Sequence, residues 1–178
     1  MENKITNNVR SIFLYSSSNN SISGNNITAN QMGISIQESS YNGISGNNIT
    51  NNGYGIYFSY LTDYNKFYHN NFMNNTLQVE FHPQSGYTNF CDNEYPSGGN
   101  YWSNYTGTDA DHDGIGDTPY VIDANNTDYY PLMIQYVIPE FPSFPVIPLF
   151  MIATLLAVIF RKRKRGMQDR NQLRGTTS

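Results

Sequence analysis

One asparagine-rich phrase returns along this chain at a nearly constant interval, and that interval restricts the fold to a stack of short coils. Ile22-Ser-Gly-Asn-Asn-Ile27 comes back as Ile44-Ser-Gly-Asn-Asn-Ile49 and as Phe67-Tyr-His-Asn-Asn-Phe72. A weaker copy is Phe90-Cys-Asp-Asn-Glu-Tyr95, and the steps are twenty-two, twenty-three and twenty-three positions. A second track keeps phase with the first: Ser11-Ile-Phe-Leu14, Gly33-Ile-Ser-Ile36, Gly55-Ile-Tyr-Phe58 and Leu77-Gln-Val-Glu-Phe81. Ile5 lies one such step before Ile27, so Ile5-Thr-Asn-Asn8 reads as the tail of one more copy. A unit this short cannot bury its own apolar residues, so successive copies must stack.

The repeat selects strands. Ile and Phe are separated by Asn, Gly and Ser, which are poor helix formers. About 22 residues suits one coil of a parallel β-helix with three short strands. Ile22, Ile27 and Ile34/Ile36 then point inward from three walls, with Ile44, Ile49 and Ile56/Phe58 in the next layer. Phe90 is expected inward in the last coil, with Cys91 beside it. Coils lie about 4.8 Å apart, so Asn25/Asn26 should stack on Asn47/Asn48 and Asn70/Asn71. Asn accepts left-handed backbone, so its density marks corners that recur at one place per coil. Trp102, with Tyr101 and Tyr105, is expected to cap the open end of the core.

This pattern resembles the right-handed parallel β-helix repeats of the pectin-lyase-like architecture, and more narrowly the NosD-type family. The resemblance covers residues 4–133. Its more specific part is Gly98-Gly-Asn-Tyr-Trp-Ser-Asn-Tyr105, Asp109-Ala-Asp-His-Asp-Gly-Ile-Gly-Asp-Thr-Pro-Tyr-Val-Ile122 and Asp128-Tyr-Tyr-Pro-Leu132, which look like the end of a NosD-type domain. The expected fold is all-β: a right-handed parallel β-helix solenoid followed by one C-terminal transmembrane helix. The repeats occupy residues 1–97 and an aromatic cap with an Asp-rich loop occupies 98–134. A Pro-rich linker spans 135–145, the membrane helix 146–160 and a basic tail 161–178.

The tail carries its own signals. Phe141 to Phe160 holds no charge. At a helical rise of about 1.5 Å per residue, a span of that length crosses a bilayer. Arg161-Lys-Arg-Lys-Arg165 follows, which places the tail in the cytoplasm and the repeats outside. Pro139, Glu140 and Phe141, then the apolar span, then the basic cluster resemble the PEF-CTERM sorting signal of archaea. That resemblance implies an archaeosortase as a partner. The chain opens inside a repeat, without a cap or an export signal, so it is expected to be the C-terminal part of a longer protein. Net charge is −4 and the isoelectric point about 5.2, which argues against a nucleic-acid partner. The single cysteine, Cys91, excludes an internal disulfide.

The strongest local chemistry is the run Asp109-x-Asp111-x-Asp113-Gly114-x-Gly116-Asp117. Oxygen ligands at alternate positions with glycine at the sixth place wrap Ca2+. Asp109, Asp111, Asp113 and Asp117 would offer carboxylates and Ile115 a backbone carbonyl. The twelfth position is Tyr120 rather than the bidentate Glu of a full EF-hand loop, and Asp123 is the distant substitute. Copper needs convergent His, Cys or Met, and His69, His82, Cys91, Met32 and Met73 are scattered. Within the repeat region (Glu38, Asp63, Glu80, Asp92 and Glu94) no two acids lie one period apart, so polysaccharide cleavage finds no stacked pair of carboxylates there. Tyr41, Tyr54, Tyr57, Tyr60, Tyr64 and Tyr68 fall outside the inward track. Tyr54, Tyr57, Tyr60 and Tyr64 are the candidate sugar-binding residues. Asn-x-Ser/Thr sequons occur at Asn19, Asn26, Asn48, Asn74, Asn104 and Asn125, with Asn104 and Asn125 the better glycosylation candidates.

The sequence thus predicts a membrane-anchored, extracytoplasmic surface protein that is structural or adhesive, binds carbohydrate and is not catalytic. Its alternatives are the C-terminal part of a polysaccharide lyase or hydrolase, and a NosD-like copper-associated accessory protein.

Overall fold

The chain completes a circuit of three strands at each repeat of the sequence phrase. A computed structural model describes residues 3–81 and 87–138. The first coil gives β1 (Asn3–Thr6), β2 (Arg10–Tyr15) and β3 (Ser21–Ser23). The second gives β4 (Asn25–Thr28), β5 (Met32–Gln37) and β6 (Gly43–Ser45). The third gives β7 (Asn48–Thr50), β8 (Tyr54–Ser59) and β9 (Lys66–Tyr68). The fourth gives β10 (Asn71–Met73) and β11 (Leu77–Phe81), and β12 (Tyr101–Trp102) adds a last rung. A small antiparallel hairpin, β13 (Tyr120–Val121) and β14 (Thr127–Asp128), closes the described chain.

Equivalent strands pair in parallel and in register. Ile5, Ile27, Ile49, Phe72 and Trp102 form one column. Ile12, Ile34, Ile56 and Val79 form a second, and Ile22, Ile44 and Phe67 a third. From Ile27 to Phe72 the inward residues are fully buried. Each buried Ile or Phe contributes about 1.5–3 kcal/mol, so the columns supply most of the driving force. Trp102 ends the core, stacked on Phe72 at 4.4 Å and covered on its other face by Tyr120 at 4.4 Å, with Tyr105 edge-on to Tyr120 at 6.5 Å.

The corners correct the sequence reading. Asparagines stack at three corners of each coil, not at one. The first row is Asn25, Asn47, Asn70 and Asn100, in which each backbone N–H and each Nδ2 donates to the next Oδ1 at 2.9–3.1 Å. The second is Asn8, Asn30, Asn52 and Asn75, and the third Asn20, Asn42, Asn65 and Asn89, with the same geometry. The residue before a row asparagine takes left-handed backbone at nearly every rung: Gly24, Gly46 and His69; Asn7, Ala29, Asn51 and Asn74; Asn19, Tyr41 and Tyr64. Asn-Asn doublets therefore serve the corners in two ways. In Asn7-Asn8, Asn19-Asn20, Asn51-Asn52 and Asn74-Asn75 the first residue tolerates the positive φ and the second bonds along the stack, whereas in Asn25-Asn26, Asn47-Asn48 and Asn70-Asn71 the first residue bonds and the residue before it takes the positive φ.

The fourth copy also changes face. Phe90 is half exposed and Cys91 is buried. Phe90 bridges Lys66, so Cys91 replaces Phe67 in the inward column. The step from Asn65 to Asn89 is 24, against 23 from Asn42 to Asn65, and this one extra residue flips the two side chains. The Pro139-Glu140-Phe141 motif, the 146–160 span and the 161–178 tail lie outside the described residues. Among the described residues no helix is long and apolar enough to cross a membrane.

Candidate functional site

The acidic loop closes on itself. Ligand oxygens of Asp109, Asp111 and Asp113 lie within 4.8 Å of one another. Short local bonds set this geometry: Asp113 N–H donates to Asp109 at 3.2 Å and Asp111 at 3.3 Å, and Gly114 N–H donates to Asp109 at 3.0 Å. Gly114 holds φ +89°, a value that only glycine adopts freely, and this turns the chain back over the carboxylates. The loop is tied to the cap by Gly116 N–H to Pro131 O at 2.8 Å and Met133 N–H to Gly114 O at 3.0 Å. Asp117 stands outside the group of three, with one oxygen accepting from Ala110 N–H at 2.8 Å. Asp123 is engaged elsewhere, accepting from Asn125 N–H and from Asn126 Nδ2 at 2.8 and 2.7 Å. The trio resembles a cation cage whose remaining ligands must come from backbone or water.

The tyrosines form two groups. On the outer face of the β2-β5-β8-β11 sheet, Phe13, Ser35, Tyr57 and Glu80 stand in one row. Tyr54 meets Tyr57 edge to face at 5.4 Å, and Arg10 covers Phe13 at 4.5 Å. Burial raises the Tyr57 phenol, with smaller contributions from Tyr54, Glu80 and Tyr60, which places those groups around it. Tyr64 belongs to a different corner, where it stacks on the exposed Tyr41 at 5.3 Å. The four sugar-binding candidates are thus split three and one.

Asp128 is a residue to which the sequence alone assigns no role. It is fully buried, and its Oδ2 accepts from Asn100 N–H at 2.8 Å and from Trp102 Nε1 at 2.8 Å. Its Oδ1 accepts from Tyr130 N–H at 3.0 Å. Burial pushes the carboxyl up from 3.8 to about 6, outweighing these donors. A raised acid is a common mark of catalysis, but this one is sealed from solvent and ends the first asparagine row, so its role is structural. The signal in the sequence is an acid two residues before an aromatic-Pro pair, which alone does not separate a row terminus from a surface turn.

Cys91 is likewise a core residue. Burial raises its thiol well above the usual range, with help from Asp128, Asp92 and Asp123. Of the two glycosylation candidates, Asn104 is exposed with its carbonyl held by Tyr120 and Gln78, and Asn125 sits exposed in the β13–β14 turn.

A family model described as periplasmic copper-binding protein (NosD) matches residues 1–107. The chain belongs to the NosD family. No curated protein matches it. The NosD family is periplasmic, in keeping with repeats that lie outside the cytoplasm. The copper named for the NosD family does not fit the donors described here. Cys91 faces the core, where its Sγ contacts Asn89 O at 3.9 Å. His69 is on the outside, stacked on Tyr136 at 4.2 Å with Nε2 at 2.7 Å from Ser97 O. His112 sits in the acidic loop, and His82 lies outside the described residues. Among the described residues the one group of three metal-binding side chains is the aspartate trio, which suits hard cations.

Proposed function

We propose that this NosD-family chain is a non-catalytic, right-handed β-helix protein of the cell surface, held to a membrane by residues 146–160, with a structural or adhesive role and affinity for glycans. The supporting observation is the make-up of its outer walls. Exposed tyrosines stand among amides and hydroxyls, a surface suited to stacking on sugar rings and bonding to their hydroxyls. The acids of the walls have non-acidic partners: Glu38 accepts from Ser16, Glu80 lies opposite Tyr57, and Asp63 accepts from Thr88 N–H. That arrangement favours binding over cleavage.

A glycan array tests the reading. Wild-type protein should bind a subset of neutral glycans, and Tyr57→Ala should weaken that binding about tenfold while leaving the melting temperature within a few degrees. Absence of binding to every glycan would end this proposal.

The acidic loop adds a stabilising role for Ca2+ through Asp109, Asp111, Asp113, the Ile115 carbonyl and, through water, Asp117. Extracellular calcium modules bind at about 0.1–1 mM, so roughly 2 mM Ca2+ should stabilise the chain by about 0.6–1.8 kcal/mol. Asp111→Asn should remove most of that gain, as read by thermal denaturation with and without chelator. An unchanged melting temperature in wild type on adding Ca2+ would show the loop to be an acidic turn and nothing more.

A further inference from the structure

Among the described residues the cap covers two walls of the solenoid and leaves the third without a further strand. β12 pairs with β10, and Phe90 bridges β9, but β11 is the last strand of its sheet among the described residues. Across from this edge stands β13, and between them lies a cleft of about 520 Å³. Its polar lining consists of amides from Asn74, Asn75, Gln78 and Asn104 and hydroxyls from Thr76, Ser103 and Tyr120. Among the described residues no Asp, Glu, Lys, Arg or His lines it. Leu77 and Val121, both exposed, add apolar surface beside these groups.

The polar groups are held in place by their own bonds. Gln78 Nε2 donates to Ser103 Oγ at 3.2 Å and to Asn104 Oδ1 at 3.4 Å. Tyr120 OH donates to the same Asn104 oxygen at 3.1 Å, and burial keeps this phenol above its ordinary range and uncharged. With both lone pairs of its carbonyl engaged, the Asn104 amide is fixed, and its Nδ2 has no partner among the described residues. The Asn74 amide and the Thr76 hydroxyl likewise have none. Three free polar groups thus line a neutral cleft that also offers apolar surface, the composition that suits an uncharged polyhydroxylated ligand. A peptide strand added to the edge of β11 is the competing occupant. The Gln78 bonds to Ser103 and Asn104 cross the middle of that edge, and a strand laid along it would have to break them.

We propose that this cleft binds a neutral saccharide, supplied either as a free oligosaccharide or as the protein's own glycan attached at the Asn104-Tyr105-Thr106 sequon. This rests on the glycan reading above and adds an enclosed site to the open tyrosine face. The test uses the full chain, in detergent, made in a host that does not glycosylate it. Neutral hexose and N-acetylhexosamine oligosaccharides are titrated by calorimetry into wild type, Tyr57→Ala and Tyr57→Ala/Thr76→Trp. Thr76 is exposed, so the tryptophan fills the cleft without entering the core. Residual binding in Tyr57→Ala that falls about tenfold further on adding Thr76→Trp supports the cleft.

If Tyr57→Ala already abolishes binding, or Thr76→Trp changes nothing, the open face accounts for all the binding and the cleft proposal is overturned while the glycan reading stands. If wild type binds no saccharide, both fail. Hydrogen-exchange protection of Leu77–Phe81 by an added extended peptide, and not by sugar, replaces the proposal with strand addition. Protein from its natural source separates the two supplies. A glycan found on Asn104 by mass spectrometry, with free-sugar binding regained after enzymatic removal, assigns the cleft to the attached chain.

Discussion

Asp128→Ala is expected to destabilise the chain by about 3 kcal/mol at pH 7, and by more at pH 5. Three buried donors, Asn100 N–H, Trp102 Nε1 and Tyr130 N–H, lose their acceptor together, each at about 1–3 kcal/mol. Removal of a desolvated carboxylate offsets part of that loss at neutral pH. The pH dependence follows from linkage. In the fold this acid titrates at about 6, and in the unfolded chain near its ordinary 3.8. Between those values the folded state holds a proton that the unfolded state has released, so this group's contribution falls as pH rises from 4 to 6 and is level above. The change is worth about 3 kcal/mol at about 1.4 kcal/mol per pH unit. Alanine has no such dependence, so the gap between the two proteins should widen on acidification.

Trp102 is the single tryptophan, and its indole bonds to the carboxylate, so its emission should titrate near pH 6 in wild type only. A gap that narrows toward pH 4 would mean that the carboxylate is held ionised by its donors and that burial does not dominate. Gly99 belongs to the same site. A Cβ there would overlap the Asp128 carboxylate, which is fixed by its bonds and has nowhere to move.

The second large effect is expected at the centre of the first row. Asn70→Ala removes the acceptor for Asn47 N–H and Asn47 Nδ2, and the donor to Ile44 O and Asn100 Oδ1. All these groups are buried, and water cannot replace the lost side chain without opening the coil. A loss of about 3–5 kcal/mol is expected, with the melting temperature lower by roughly 10 °C or more. Asn70→Asp is the informative control, because it keeps the acceptor, loses the amide donors and buries a charge. It should be no better than alanine at pH 7. If Asn70→Ala costs less than about 1 kcal/mol, the rows are decoration on a fold held by its isoleucines alone.

Much of this is legible in the chain because a parallel coil maps sequence distance directly onto space. Ile5, Ile27 and Ile49 fall in one column because they are a whole period apart, and no tertiary packing can reassign them without shifting every neighbour. The same rule hides two of the three asparagine rows. Asn8, Asn30 and Asn52 close a recurring Ile-Thr-x-Asn and Asn75 keeps its period, but the longer phrase Ile-Ser-Gly-Asn-Asn-Ile draws the eye to one corner. Phe90 and Cys91 exchange the faces expected of them because one inserted residue between Phe81 and Asn89 is invisible to a fixed period. At the acidic loop, spacing brings Asp109, Asp111 and Asp113 together. The positions of Asp117 and Asp123 depend on how the cap docks, which local spacing does not encode. Asp128 and the cleft are out of reach for the same reason, since both arise where a non-repeating segment meets the last coil.

The asparagine rows carry a direction, because each rung hands hydrogens to the rung that follows it in the chain. A duplicated coil inserted in the middle receives and passes on the same bonds, so lengthening there leaves both neighbours content. The same coil placed beyond Asp128 meets an oxygen with nothing to hand over, and the third row, which reaches Asp123 through Asn126, halts in the same way. Variants of this protein with more coils are therefore expected to have gained them ahead of the cap, with the cap itself occurring once.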